Sequence, residues 1–434
     1  MKLDVHLSIK HLYGPAKVAY EPDELVIVCL VRDGQPYVKS FVEHYRSLGA
    51  KHLFFLDNNS TDGTVEALKS YDNTTVLRSK LPYKEYKFLM KQYLVGRFGR
   101  KDRWCLCVDI DELFDYPYSN VVGLNSFLGY LTQKSYTAVA AQMLDMFPEE
   151  PLSGREGNLE DKLLKERHRF YDISNISRTS VKELHHLHDR NNTLESDEIE
   201  IFRGGIQNAI FGSTLYLTKH PLMFTDGRIK PSDRSAHWVD NAKIADITCV
   251  LLHYKFLDGY FHKQAAQAVR EGHYHNASTR YKRYLEILDK NPALKMKRES
   301  ARELKGVNDL VENGFLVVSE EYMMMVYDEE RKSVGGHTPI QGERGGGPED
   351  EAAALYRARA QAKAQSLRAQ RLKRHVEELR EQNQREVERL SSKLARFRKK
   401  NRNLTQQLQS IRASRSVRLL NKLGRIRARV LGRG

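Results

Sequence analysis

The sequence predicts an α/β fold: a mixed sheet flanked by helices, then a linker, then a long C-terminal helix of coiled-coil character. Three observations carry this expectation. Apolar β-rich runs alternate with helix-period segments over the first third of the chain, a Gly-rich stretch interrupts the pattern at residues 333–350, and a segment nearly free of Gly and Pro follows it. Strand, helix, strand, helix, strand in succession calls for parallel neighbours, because a helix between two strands returns the chain to the same edge of the sheet.

Residues 1–23 alternate polar and apolar side chains and read as an N-terminal extension without the continuous apolar stretch of a signal peptide. The run LVIVCLV, Leu25 to Val31, is the first core strand, stopped by Arg32-Asp33-Gly34. The segment after it places Val38, Phe41, Val42, Tyr45 and Leu48 on one helical face, with Pro36 in the first turn and Gly49 as the C-terminal cap. Leu53 to Leu56 is a second strand, and Asp57-Asn58-Asn59-Ser60-Thr61-Asp62-Gly63 a turn before a helix from Thr64 to about Tyr71. Val76 and Leu77 suggest a strand, Tyr83 to Phe98 a helix, and Trp104 to Val108 a strand running into Asp109.

From Glu112 to about Tyr327 the pattern is mixed, with an apolar run at Ile247 to Leu252 and helical stretches after Gly259 and Thr279. The expected division is a domain over 24–330, with halves 24–120 and 121–330, a linker over 331–351, a coiled coil over 352–411 and a basic amphipathic tail over 412–434. Leu372, Val376 and Leu379 follow 4,3 spacing, as do Val387, Leu390, Leu394, Phe397, Leu404, Leu408 and Ile411 in a shifted frame, which predicts a homo-oligomer through a helical seam.

The net charge of +15 is unevenly placed. Residues 352–434 hold 24 Lys or Arg against 5 Glu, leaving the rest of the chain slightly acidic. The tail, with Leu419, Leu423, Ile426 and Val430 on one face among basic residues, suits an anionic membrane surface; nucleic acid is disfavoured because no aromatic residues interleave with the basic ones. Cys29, Cys105, Cys107 and Cys249 sit in apolar runs, and no stretch approaches a membrane span, so a cytoplasmic protein, peripheral to the inner membrane at most, is expected.

Asp109-Ile110-Asp111-Glu112 follows the run WCLCV and brings carboxylates to a strand end, the edge at which open α/β sheets bind ligands. Alternation along a strand aims Asp109 and Asp111 to the same side. Such a pair suits a divalent cation that offsets the charge of a diphosphate, although D-x-D by itself is also an ordinary solvated turn. Asp57 lies at a second strand end on the same edge. A carboxylate there is placed to accept from a base or ribose, whereas Ser60, Thr61 and Asp62 read as ordinary cap and turn residues.

The run VIVCLVRDGQPYVKSFVEHYRSLGAKHLFFLDNNSTDGT, followed by CVDIDELF, resembles the nucleotide-binding half of family 2 glycosyltransferases of GT-A fold, over about residues 24–120. The resemblance implies that Asp57 contacts the nucleoside base, Asp109 the ribose or metal and Asp111 a divalent cation, Mn²⁺ or Mg²⁺, with Arg32 and Asp33 bordering the nucleoside pocket. RGGIQNAIFG, LTKHPL, AHWV and LLHYKFL are similar to a bacterial subgroup of these enzymes. In many GT-A enzymes a late His completes the metal site, which points to His253, while His237 reads first as structural; Arg203, Lys219 and Lys255 are candidate phosphate or acceptor contacts. An inverting transferase needs a base for the acceptor hydroxyl. Glu198, Glu200, Asp226, Asp233 and Asp240 are all candidates, and the family's usual spacing points to the neighbourhood of Glu198 and Glu200.

The activity so implied is transfer of a sugar from a nucleotide-sugar donor to a glycan or lipid-linked acceptor. Two alternatives stand beside it. Sugar nucleotidyltransferases also use an α/β sheet and aspartate-held Mg²⁺, but usually carry a longer Gly-rich phosphate loop than Val31-Arg32-Asp33-Gly34-Gln35. An inactive scaffold organised by its coiled coil is the other.

Overall fold

A computed structural model describes residues 5–152, 163–181, 191–232, 237–272, 278–333 and 348–432. The chain forms two compact units, Met1–Arg368 and Ala369–Gly434.

The first unit is built on a ten-stranded mixed sheet whose strands are, in chain order, β1 (Lys10–Tyr13), β2 (Leu25–Val31), β3 (His52–Asp57), β4 (Thr74–Arg78), β5 (Trp104–Val108), β6 (Glu112–Asp115), β7 (Ala138–Asp145), β8 (Thr193–Leu194), β9 (Thr218–Phe224) and β10 (Lys243–His253). Across the sheet the order is β1-β4-β3-β2-β5-β9-β7-β10-β8, with β6 pairing β10. Strands β4, β3, β2 and β5 are parallel neighbours, as the alternation of elements predicts, whereas β9 enters antiparallel between β5 and β7.

Every residue of β2 is buried. Its alternate side chains serve two cores: Leu25, Ile27, Cys29 and Val31 pack with the Gln35–Leu48 helix, while Val26, Val28 and Leu30 pack with Met90, Leu94 and Phe98 of the Tyr83–Phe98 helix. A strand covered on both faces reads as a continuous apolar run, and this is why LVIVCLV lacks alternation. Pro36 lies in the first turn of the Gln35–Leu48 helix, and Gly49 ends it in the left-handed region at φ 96°, a conformation a β-carbon would oppose.

Within the expected N-terminal extension, β1 pairs antiparallel with β4 at the sheet edge, and Val5 and Tyr20 are buried in the second core. The compact unit also continues past the expected linker, most of which lies outside the described residues. The helix Pro348–Ala413 contributes Ala360, Ala364 and Leu367 to the main core, and Lys363 and Arg368 pair with Glu312 and Glu198 at 2.6 and 2.5 Å. The first turns of the predicted coiled coil are therefore core-packing turns of the first unit. Alanines at 360 and 364 are the sequence trace of that close approach, since a small side chain lets a helix lie tight against its support.

The second unit is helical: the rest of Pro348–Ala413, then a second helix, Arg415–Leu431, capped by Ser414, whose hydroxyl accepts from the Val417 N–H at 3.4 Å. Among the described residues no helix is long and apolar enough to cross a membrane.

Candidate active site

The exits of β2 and β3 are tied into one loop assembly. Ser60 Oγ accepts from the Asp33 N–H at 2.8 Å, Thr64 Oγ1 from Gly34 at 2.8 Å and Asp62 Oδ2 from Gln35 at 3.0 Å. In return Asp33 Oδ1 accepts from the Thr61 N–H at 2.8 Å. The turn residues that look like ordinary caps in sequence thus satisfy the open N–H groups at the start of a neighbouring helix, Gln35–Leu48. Gly34 is needed there, because a β-carbon would stand 2.7 Å from Val31 Cγ2 and 3.2 Å from Ile110.

Asp57 is the last residue of β3. It is fully enclosed, its Oδ2 accepts from Arg78 Nε at 2.7 Å and its Oδ1 from the Ser60 N–H at 3.1 Å, and it does not border the cavity described next. In this structure its carboxylate anchors the loop from behind.

A cavity of about 370 Å³ opens beyond the C-terminal ends of β2 and β5, bordered by Arg32, Asp33, Asp109, Asp111, Glu112, Lys219, His253 and Lys255. This volume is in the range of small-ligand sites. At its mouth Arg32 pairs with Glu271 at 2.8 Å, and Asp33 Oδ2 accepts from Gln267 at 3.1 Å. At its floor Asp109 accepts from Lys91 at 2.6 Å and from Lys219 at 3.2 Å, and Lys219 also bonds Glu112.

Both lysines are buried. Burial opposes their charge, but the carboxylates outweigh it and hold Lys91 and Lys219 above the ordinary lysine range. Burial likewise opposes the charged form of Asp109, and the two lysines overcome it to hold the carboxyl well below the usual carboxylate range. Glu112 goes the other way: burial pushes it up despite Lys219.

Strand register assembles the other half of the floor. Asp145 of β7 lies opposite His253 of β10, which in turn lies opposite Glu112 of β6. His253 Nδ1 is 2.6 Å from Asp145 Oδ1 and its Nε2 is 3.3 Å from Asp111 Oδ2. Asp145 is itself held by Gln207 Nε2 at 3.0 Å, and Gln207 Oε1 accepts from the Tyr284 hydroxyl at 2.9 Å. Burial works against the imidazolium, yet Asp111 and Asp145 push its pKa up to about 10.

A donor atom from each of Asp111, Glu112 and His253 lies within 4.8 Å of the others, the one such His and carboxylate grouping among the described residues. Two carboxylate oxygens and an imidazole nitrogen suit a divalent transition ion such as Mn²⁺ better than Mg²⁺, and the Asp145 contact to the far ring nitrogen is the usual support for a ligating His. The residues fit such an ion. Asp111 and His253, two of the three expected ligands, lie in this group with Glu112; Asp109 and Glu112 both pair with Lys219, and Asp109 also pairs with Lys91.

Lys219 and Lys255 both border the cavity; burial, aided by Arg280, lowers Lys255 to about 8. Arg203 does not border it, and its guanidinium stacks on the Tyr216 ring 4.0 Å from the centroid. The base candidates are also elsewhere. Glu198 pairs with Arg368, Glu200 with Arg178 at 3.8 Å and Asp226 with Arg228 at 2.7 Å, and none of the three lines the cavity. Asp233 lies outside the described residues. His237 does line it, with burial and Lys219 lowering its pKa to about 3.

Sequence reasoning missed Lys91, Asp145 and Gln207. Asp145 carried a usable signal, since it ends the apolar run Ala138–Leu144 just as Asp109 ends its own. Lys91 and Gln207 carried none, because a polar residue on a helix is ordinarily a solvated one.

No protein-family model matches the chain. A stretch of 127 residues, 27% of the chain, is 24% identical to a glycosyltransferase family 92 protein of Arabidopsis thaliana. Over that stretch the chain is similar to a glycosyltransferase. The match spans 22% of the relative's own length, about a fifth of it. Among solved structures, residues 1–349 of TarS from S. aureus align over 30% of this chain and 42% of that one, at 12% identity and a TM-score of 0.23. A nucleotidyl transferase from Methanothermobacter aligns over 30% of this chain and 63% of that one, at 12% identity and a TM-score of 0.18. At such scores the overlaps are partial.

Proposed function

We propose that the protein is a metal-assisted glycosyltransferase of the GT-A, family 2 type, moving a sugar from a nucleoside diphosphate donor to a glycan or lipid-linked acceptor. The observation that carries the reading is the convergence of Asp111, Glu112 and His253 on a cavity at the C-terminal ends of parallel strands, and the sequence similarity to a glycosyltransferase supports it. A divalent cation at these residues would supply positive charge to the diphosphate oxygens as the leaving group departs. Asp145 orients His253 for that ion, and Lys219 and Lys255 meet the remaining phosphate charge. Arg32 and Asp33, at the mouth, border the nucleoside.

Inverting transfer requires a base for the acceptor hydroxyl. Glu198, Glu200 and Asp226 do not border the cavity, so the base is not assigned to them. The exposed seam from Leu372 to Ile411 is assigned to a second copy of this chain, as a homo-oligomeric coiled coil. Four unpaired cysteines, three of them buried, suit a reducing cytoplasm.

The test is a thermal-shift and calorimetric screen of nucleoside diphosphates and nucleotide-sugars with and without Mn²⁺, on the wild type and on Asp111→Asn. The reading expects metal-dependent binding that Asp111→Asn abolishes, and nucleoside diphosphate as product. A folded wild type that binds no nucleotide refutes it, and pyrophosphate as product assigns nucleotidyl transfer instead.

A further inference from the structure

The last helix has its own apolar face, and it is not the continuation of the seam before it. The seam ends at Leu404, Leu408 and Ile411. Continued at the same 4,3 spacing, its next positions include Arg418, Lys422, Arg425 and Arg429, which no coiled-coil core accommodates in sequence. The chain marks the change at Ser414, where one helix ends at Ala413 and the hydroxyl caps the next, Arg415–Leu431. Leu419, Leu423 and Ile426 then recur at i, i+4 and i+7 and share a face beside the basic one.

All three are exposed, at 63%, 55% and 53%, and Leu420 beside them at 67%. Among the described residues of the second unit nothing covers this apolar face, and exposed apolar residues gathered on one face mark a surface that binds another. Charge complementarity says which. Between Arg389 and Gly434 there are 15 Lys or Arg and no Asp or Glu, so the covering surface is anionic. It is also apolar, because the leucine face adjoins the cationic one. A phosphate backbone meets only the cations, and the absence of Phe, Tyr or Trp after Phe397 leaves nothing to stack on bases.

We propose that Arg415–Leu431 is an interfacial helix that lays Leu419, Leu423 and Ile426 into the acyl boundary of an anionic lipid bilayer, with Arg418, Lys422, Arg425 and Arg429 on the headgroups. The assignment stands independently of the donor-site reading and fails independently of it. An oligomer presents several such helices at once, and their effects multiply.

Sedimentation of the full chain with vesicles of phosphatidylcholine, with and without phosphatidylglycerol, tests it. Binding is expected only with phosphatidylglycerol, weakening as salt rises. Leu423→Asp with Ile426→Asp should cut the bound fraction at least about tenfold, and the milder Leu423→Ser with Ile426→Ser should move it the same way. Circular dichroism confirms that the helix persists in each. Failure of the wild type to sediment overturns the proposal. So does binding that survives both leucine-face pairs and falls only with Arg418→Glu and Arg425→Glu, or a duplex oligonucleotide bound in place of the vesicles and equally by the leucine-face variants.

Discussion

Replacing Lys219 by methionine removes a cation that pairs with both Asp109 and Glu112 while leaving a side chain of similar length in the buried slot. At 3.2 Å the Asp109 contact alone is about 5 kcal/mol of gross attraction at an effective dielectric of about 20. Lys91 continues to hold Asp109 from 2.6 Å, so the larger loss falls on Glu112, which is 1% exposed and has Lys219 as its ion-pair partner. Breaking a buried pair from one side costs roughly 3–5 kcal/mol, which for a unit of this size moves a urea midpoint by about 1 M or more. Trp104 and Trp238 both lie in the first unit, so tryptophan fluorescence reports its unfolding without interference from the tail. Burial already raises Glu112, and loss of Lys219 raises it further. The penalty is therefore full above that pKa and relieved as pH falls through it. A midpoint change below about 0.3 M at pH 7, or a penalty that does not shrink on acidification, refutes the reasoning.

Three further outcomes follow from the same geometry. His253 is raised to about 10, so without divalent cation it contributes stability that is full below its unfolded value near 6.5 and lost as pH rises through 10. The slope in that window, up to about 5 kcal/mol in all, should vanish in His253→Gln, and an unchanged slope assigns it to other groups. Asp145→Asn should weaken Mn²⁺ binding about 10- to 100-fold by calorimetry while the protein stays folded; unaltered affinity removes Asp145 from the support of the site. Ala364→Glu places a charge in the main core where the Pro348–Ala413 helix docks, so limited proteolysis should cut residues 348–368 faster than in the wild type, and equal rates count against the docking.

Most elements over residues 24–108 stand where the sequence places them. The Tyr83–Phe98 helix and the Trp104–Val108 strand coincide with expectation, and so do the Pro and Gly at the two ends of the Gln35–Leu48 helix. Asp111 and His253 follow apolar runs that the sequence shows, and both border the cavity. The pairing of Glu198 was not legible: Arg368 comes 170 positions later on another element, and no local pattern announces the pair.

What the sequence determined by itself was therefore the class of each segment and which carboxylates reach a strand end, since both depend on neighbours a few residues away. Only the tertiary structure decided who pairs with whom. The insertion of β9 between β5 and β7 delivers Lys219 to Asp109 and Glu112, and the register of β7, β10 and β6 sets His253 between Asp145 and Glu112. Those contacts join residues 107 to 141 positions apart, and their charges are fixed by burial and mutual distance, quantities that exist only once the chain has folded.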